Sequence, residues 1–137
     1  MTIEQIFSDQ VTEPDAGKWS NCLKAGDNVY VAGLTARDKK LVAVGGGEYD
    51  QSKLIFSKIQ ALVEAAGGSM NDVVKINIFM TRIENRAEVW RARREFFKGA
   101  FPVATLVEVS SLAEPEILVE IEAQAVLNQG GRPGNAA

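Results

Sequence analysis

The stretch that most constrains the fold is "ILVEIEAQAVL", residues 117 to 127. Successive side chains of a strand point to opposite faces. Read as a strand, it places Ile117, Val119, Ile121, Ala123 and Ala125 on one face and Glu120, Glu122 and Gln124 on the other. A wholly apolar face must lie against a core, so the open question is what two neighbouring carboxylates are for on the opposite face. Partial desolvation would raise a carboxylate's pKa toward the range useful for general acid or base chemistry. The alternative is a strand near a sheet edge, with both glutamates solvated or paired with lysine or arginine. Glu108 shares this ambiguity.

The remaining elements show what that strand packs with. "NVYVAGL", 28 to 34, is β-branched and aromatic, and "SNCLKAGD" before it fits a partner strand closed by the Ala-Gly-Asp-Asn turn, so the two are expected to form a hairpin. From Asp50 to Ala66 the residues Leu54, Ile55, Ile59, Leu62 and Val63 recur at helical spacing, and Gly67-Gly68 stands where a helix ends. "DVVKINIFM", 72 to 80, alternates so that Val74, Ile76, Ile78 and Met80 form one apolar face. Asn85 with Glu88 has capping-box character and opens a second helix, 86 to 98, with Val89, Ala92 and Phe96 as its buried stripe; Gly99 and Pro102 end it. "VATLVEV", 103 to 109, and the opening stretch add two strands joined by an Ala-Glu-Pro loop. The order is strand, strand, strand, helix, strand, helix, strand, strand, with the stretches named above accounting for five of the six strands. This is an α+β domain in which two helices cover one face of a mixed sheet. The other face, if as apolar as its Val and Ile suggest, is most simply hidden by a partner subunit, which predicts a homo-oligomer.

The chain's 137 residues fit one domain, assigned to residues 1–127, with "NQGGRPGNAA", 128–137, as a flexible C-terminal tail. At 46% apolar and 24% charged residues the composition is that of an ordinary globular protein. No apolar run reaches the roughly eighteen residues of a spanning helix, and no secretory pattern opens the chain, so no membrane partner is expected and the cytoplasm is the default compartment. Cys22 is the only cysteine and there is no histidine, which excludes an intramolecular disulfide and the usual zinc and serine-histidine chemistries. No metal site is expected. The net charge of −3, with no basic stripe beyond "RARR" at 91 to 94, argues against a nucleic-acid partner.

Several side chains could carry chemistry. In "WRARREFF", 90 to 97, helical spacing puts Trp90, Arg94 and Phe97 on one flank, where an aromatic and a guanidinium could meet a substrate at a subunit boundary; the plainer reading is an amphipathic helix with arginines in water. Trp19 is either a pocket wall or a core or interface anchor. "GGG", 45 to 47, lacks the spacing and context of a nucleotide-binding loop and reads as a flexible entry to the first helix. Cys22 reads as an inert buried thiol.

The stretches "ALVEAAGGSMNDVVKINIFM", "EFF", "FPVATLVEV" and "VEIEAQAV", in this order and spacing, resemble the Rid family of reactive intermediate deaminases, also called YjgF proteins and, in an older label, endoribonuclease L-PSP. The likeness runs from about Ser20 to Leu127. It implies a chorismate-mutase-like fold, a homotrimer with its sheets turned inward, and small-molecule sites in the intersubunit clefts. It implies hydrolysis of enamines and imines such as 2-aminoacrylate to a 2-oxo acid and ammonia, without a cofactor. Glu120 matches the position of the family's cleft carboxylate, which positions or activates water. The sequence departs from the pattern where Ala104, in Pro102-Val103-Ala104-Thr105, replaces an arginine that grips the substrate carboxylate. Trp90 replaces a small polar residue, Trp19 matches an aromatic, and Ala32-Gly33-Leu34 replaces Ser-Gly-Gln.

The resemblance is therefore to an arginine-lacking subgroup, with a more aromatic and less cationic cleft. Its expected substrate-binding residues are Trp19, Gly33, Trp90, Ala104 and Thr105, and Arg91 or Arg94 could replace the missing cation. The expected activity is hydrolytic deamination of a small enamine, imine or amino metabolite. The rivals are a non-catalytic ligand-binding or regulatory trimer and, least favoured by the acidic balance and missing histidine, RNA cleavage.

Overall fold

The computed structural model describes residues 2–135. Six strands form one sheet in the order β1-β2-β3-β6-β4-β5: β1 Ile3–Gln5, β2 Cys22–Ala25, β3 Asn28–Leu34, β4 Val73–Met80, β5 Val103–Glu108 and β6 Val119–Val126. Two helices, α1 Glu48–Ala65 and α2 Arg86–Arg93, pack over one face. The β4–β5 pair is parallel because α2 carries the chain between them, whereas the other pairs are antiparallel.

β6 pairs with β3 on one side and β4 on the other, so the carboxylate-bearing strand is central rather than at an edge. Its residues Val119, Ile121, Ala123 and Ala125 are buried under the helices, and Glu120, Glu122 and Gln124 are half-buried on the opposite face. Ile55, Ile59 and Leu62 of α1 meet Ile76, Ile78 and Ile121 in the same core. The expected face of β4 slips at one position: Val73 is buried instead of Val74, because the register shifts between Val73 and Lys75. One extra residue in a strand reverses the parity of what precedes it.

Three other expectations are corrected. The second helix stops at Arg93, five residues short of 98. After it, Glu95 N donates to Ala92 O (3.0 Å) and Phe96 N to Arg93 O (3.0 Å), tightening the chain so that Phe97 turns into the core edge-on to Phe56 (88°, 5.6 Å) instead of sharing a flank with Trp90. Asn85 caps nothing with its side chain; its Nδ2 donates to Glu48 Oε2 (3.0 Å), where Arg82 also binds through Nε (2.8 Å) and Nη2 (2.9 Å). The tail does not leave the domain before Asn135. Arg132 is buried, stacks on Phe97 (5.1 Å), and donates to the carbonyls of Ala100 (2.7 Å), Met70 (2.6 Å) and Val73 (2.6 Å). Composition pointed to disorder because the contacts that dock this segment lie on distant parts of the chain.

Candidate functional site

The sheet face away from the helices carries alternating residues of all six strands. Leu23 and Tyr30 lie directly opposite one another across β2 and β3, and Tyr30 faces Gln124 of β6. Asn77 stands between Glu122 and Thr105, and Phe79 between Glu120 and Val107. Ile3, Leu23, Tyr30, Val103 and Val107 are exposed there, so the face mixes apolar residues with carboxylates. A shallow pocket of about 240 Å³ lies on it, lined by Tyr30, Lys75, Asn77, Glu122 and Gln124.

The two glutamates are held differently. Glu122 Oε1 accepts from Asn77 Nδ2 (2.9 Å), and no such partner engages the Glu120 carboxylate among the described residues. Burial, reinforced by the charge of Glu122, raises the Glu120 pKa above the usual glutamate value. Glu120 can occupy its place only because residue 33 is glycine: a Cβ built there would overlap Glu120 Oε2 and approach Cδ to 3.0 Å. The β3–β6 pairing is irregular between Val31 and Leu34, which brings the Gly33 backbone close against the carboxylate. The position of β6 is fixed in turn by Gln51 of α1, whose Nε2 donates to Glu116 O (2.8 Å) and whose Oε1 accepts from Leu118 N (2.9 Å).

Gly33 also lines a deeper pocket of about 460 Å³, together with Trp19, Lys18, Arg37, Lys40 and Lys58. Trp19 is 58% exposed and its Nε1 donates to Asn21 Oδ1 (3.2 Å), so it is a surface wall and not a core anchor. Lys58 Nζ donates to the carbonyls of Arg37 (2.7 Å) and Thr35 (3.2 Å). Burial, then the charge of Arg37, holds the Lys58 pKa below the usual lysine value. Arg37 pairs with Glu114 (2.5 Å) and donates to Leu41 O (3.0 Å) and Thr35 Oγ1 (3.2 Å). This pocket has one aromatic wall, Trp19, and is otherwise rich in cations. The signal lay in "ARDKK", 36 to 40, directly after β3. Lys58 gave no signal, because only the fold carries α1 across that loop.

Within one chain Gly33 thus joins the pocket walled by Trp19 to the carboxylate of Glu120, and Thr105 shares the open face with Glu120. Ala104 does not: its neighbour across the ladder is Ile76, so it points to the helix side of edge strand β5. Trp90 lies in the helix layer, 37% exposed, with the Arg86 guanidinium 5.8 Å from its ring. Arg91 pairs with Glu88 (2.6 Å) and stacks on Tyr49 (3.5 Å), and Arg94 is exposed on the same layer, so neither lines the Trp19 pocket within one chain. Cys22 is buried, and burial pushes its thiol up to about 11. Among the described residues no cluster of His, Cys, Asp and Glu could hold a metal ion, and no helix is long and apolar enough to cross a membrane.

The family described as endoribonuclease L-PSP matches residues 11–127. A RutC family protein of Pyrococcus horikoshii is 34% identical over 89% of this chain and 96% of its own. A 2-iminobutanoate/2-iminopropanoate deaminase of Dermatophagoides farinae is 31% identical over 93% of this chain and 99% of its own. A Pseudomonas aeruginosa protein of unknown function has a solved structure that superposes with a TM-score of 0.86 at 35% identity, covering 99% of both chains.

Proposed function

From the premise that this chain belongs to the endoribonuclease L-PSP family, we propose that it hydrolyses a small enamine, imine or amino metabolite, with Glu120 orienting and deprotonating the attacking water. The observation that carries this reading is the Glu120 carboxylate itself. It is half-buried at the centre of an otherwise well-packed sheet, raised in pKa, without a side-chain partner, and given its space by a glycine. A protein has no structural use for an unpaired carboxylate there, and a raised pKa is what a general base working near neutrality requires.

The chemistry follows from that group. Water adds its oxygen to the imine carbon as Glu120 takes one of its protons, the C=N π-pair moves to nitrogen, and the Glu120 carboxyl returns that proton to the nitrogen. The resulting carbinolamine passes its hydroxyl proton to the amine; the C–N bond breaks, the carbonyl forms, and ammonia leaves. No redox partner is required. Relatives that include a 2-iminobutanoate/2-iminopropanoate deaminase support this reaction class.

The proposed assembly is a homotrimer with intersubunit sites. Two observations favour more than one copy: the open sheet face exposes Ile3, Leu23, Val103 and Val107, and Ala104 and Glu120 lie on opposite faces of the same sheet, so a cleft using both positions needs two chains. Within that assembly Trp90 and Thr105 would line the cleft from the neighbouring copy. Location in the cytoplasm and the absence of a nucleic-acid partner complete the proposal. The second reading, a non-catalytic ligand-binding trimer, is favoured by Ala104, since a methyl group cannot hold a carboxylate as an arginine does.

Ammonia release from freshly generated 2-aminoacrylate and bulkier imino acids separates the two readings. Turnover by the wild type that falls by about a hundredfold or more in Glu120→Gln supports hydrolysis. Silence on every imine, with activity gained in Ala104→Arg, supports the binding reading.

A further inference from the structure

We propose that the pocket beside Gly33 selects ligands bearing a carboxylate, held by Arg37 and Lys58 with Trp19 against the apolar part, so that these two cations supply the charge that residue 104 lacks. This deepens the proposed function and rests on it, by naming the chemical class that the site accepts.

Four cations line the pocket against one carboxylate, that of Asp15, which pairs with Lys18 at 3.8 Å. Among the described residues neither Lys40 nor Lys58 has a carboxylate partner. Lys58 satisfies two carbonyls, and an ammonium has three donors, so one N–H is left for the pocket. The hydrogen bonds of Arg37 engage Nε and Nη1, which leaves the donors of Nη2. Its side chain is 21% exposed, and a guanidinium in such partly desolvated surroundings is a strong site for an anion.

The molecule already carries an example of the ligand chemistry. The Glu114 carboxylate sits on Arg37 at 2.5 Å, reaching it from the loop that leads into β6. That side chain is 43% exposed, and ion pairs with an exposed partner are held weakly, so an incoming carboxylate can displace it or share the guanidinium. The aromatic wall opposite is Trp19, whose exposed ring suits a flat or branched apolar group. Gly33 belongs both to the pocket wall and to the surface against which Glu120 lies, so the pocket and the carboxylate share one residue as their boundary.

The test is calorimetric titration of the full chain with 3-phenylpropionate and with its neutral isostere 3-phenylpropionamide. The wild type is expected to prefer the carboxylate. Arg37→Gln and Lys58→Met should each reduce that preference by about tenfold or more. Trp19→Ala should weaken both probes alike, and Glu114→Gln should tighten the carboxylate by removing its internal competitor. Melting temperatures near the wild type's identify folded variants, and Arg37→Gln decides the matter if Lys58→Met, which also strips two backbone carbonyls of their donor, does not fold. A wild type without preference for the carboxylate, or a preference that survives Arg37→Gln, overturns the proposal. The hydrolytic reading fails separately: imine turnover that persists in Glu120→Gln removes the role of Glu120 while leaving the carboxylate preference to stand or fall on Arg37 and Lys58.

Discussion

The two faces of the sheet are made by alternate residues of the same strands, yet they obey different rules. On the helix side Ile76, Ile78, Val119 and Ile121 are completely buried in one apolar cluster. One residue along, Asn77, Phe79, Glu120 and Glu122 form a surface in which carboxylates, an amide and aromatic rings adjoin. The first face satisfies the hydrophobic effect and nothing else. The second gives up burial energy to hold a carboxylate above its ordinary pKa, and it leaves apolar side chains that a second copy of the chain would cover. The comparison teaches that the alternation seen in "VEIEAQAV" is a division between stability and chemistry at the scale of single residues.

The sharpest way to break this contrast is to remove volume from the covered face. Ile121→Ala should cost about 2–5 kcal/mol in urea denaturation, whereas Gln124→Ala, three residues away on the open face, should stay within about 0.5 kcal/mol. Equal costs would remove the distinction. Next in size is Arg132→Met, which leaves the carbonyls of Met70, Val73 and Ala100 without their donor and should lower stability by about 1–3 kcal/mol by the same measurement, although the residue lies in a stretch whose composition suggests disorder.

Gly33→Ala should cost about 1 kcal/mol or less, since the atoms it meets belong to the movable end of Glu120, but it should abolish hydrolysis, since the carboxylate has to move; unchanged turnover would show that the close approach of Gly33 is incidental. The smallest effect on stability has the opposite sign. A carboxyl whose folded-state pKa lies above its unfolded value contributes stability below the unfolded pKa and loses it as the pH rises through the folded one. Glu120 is such a group, so Glu120→Gln should raise the melting temperature at pH 7 and leave it unchanged at pH 3. A lower melting temperature at pH 7 would mean that the charge is paired after all.

The sequence made some of this legible and hid the rest for physical reasons. Alternation in residues 117–127 revealed a strand with two unlike faces, because a strand's periodicity is local, while its central place between β3 and β4 came only with the fold. The burial of Val73 in place of Val74 was hidden, because a register shift is decided by the neighbouring strand. The end of α2 at Arg93 was missed since Phe97 continues the apolar pattern while leaving the helix axis to reach Phe56. Trp19, Gly33 and Glu120 could be proposed together only from resemblance; in the structure Trp19 and Gly33 line one pocket, and Gly33 lies against Glu120. Arg37 and Lys58 were invisible as a pair: 21 residues separate them, and only the packing of α1 beside the loop after β3 joins them.

In the proposed hydrolysis the base is Glu120 and not Glu122, its neighbour on the same face. Glu122 is engaged by Asn77, and Glu120 is not engaged by any side chain among the described residues. The most direct measurement is the rate of ammonia release from 2-aminoacrylate and 2-iminobutanoate by the wild type, Glu120→Gln and Glu122→Gln at equal concentration. Glu120→Gln should lose about a hundredfold or more while Glu122→Gln stays within roughly tenfold of the wild type. Equal losses in the two variants, or wild-type rates in Glu120→Gln, would contradict it.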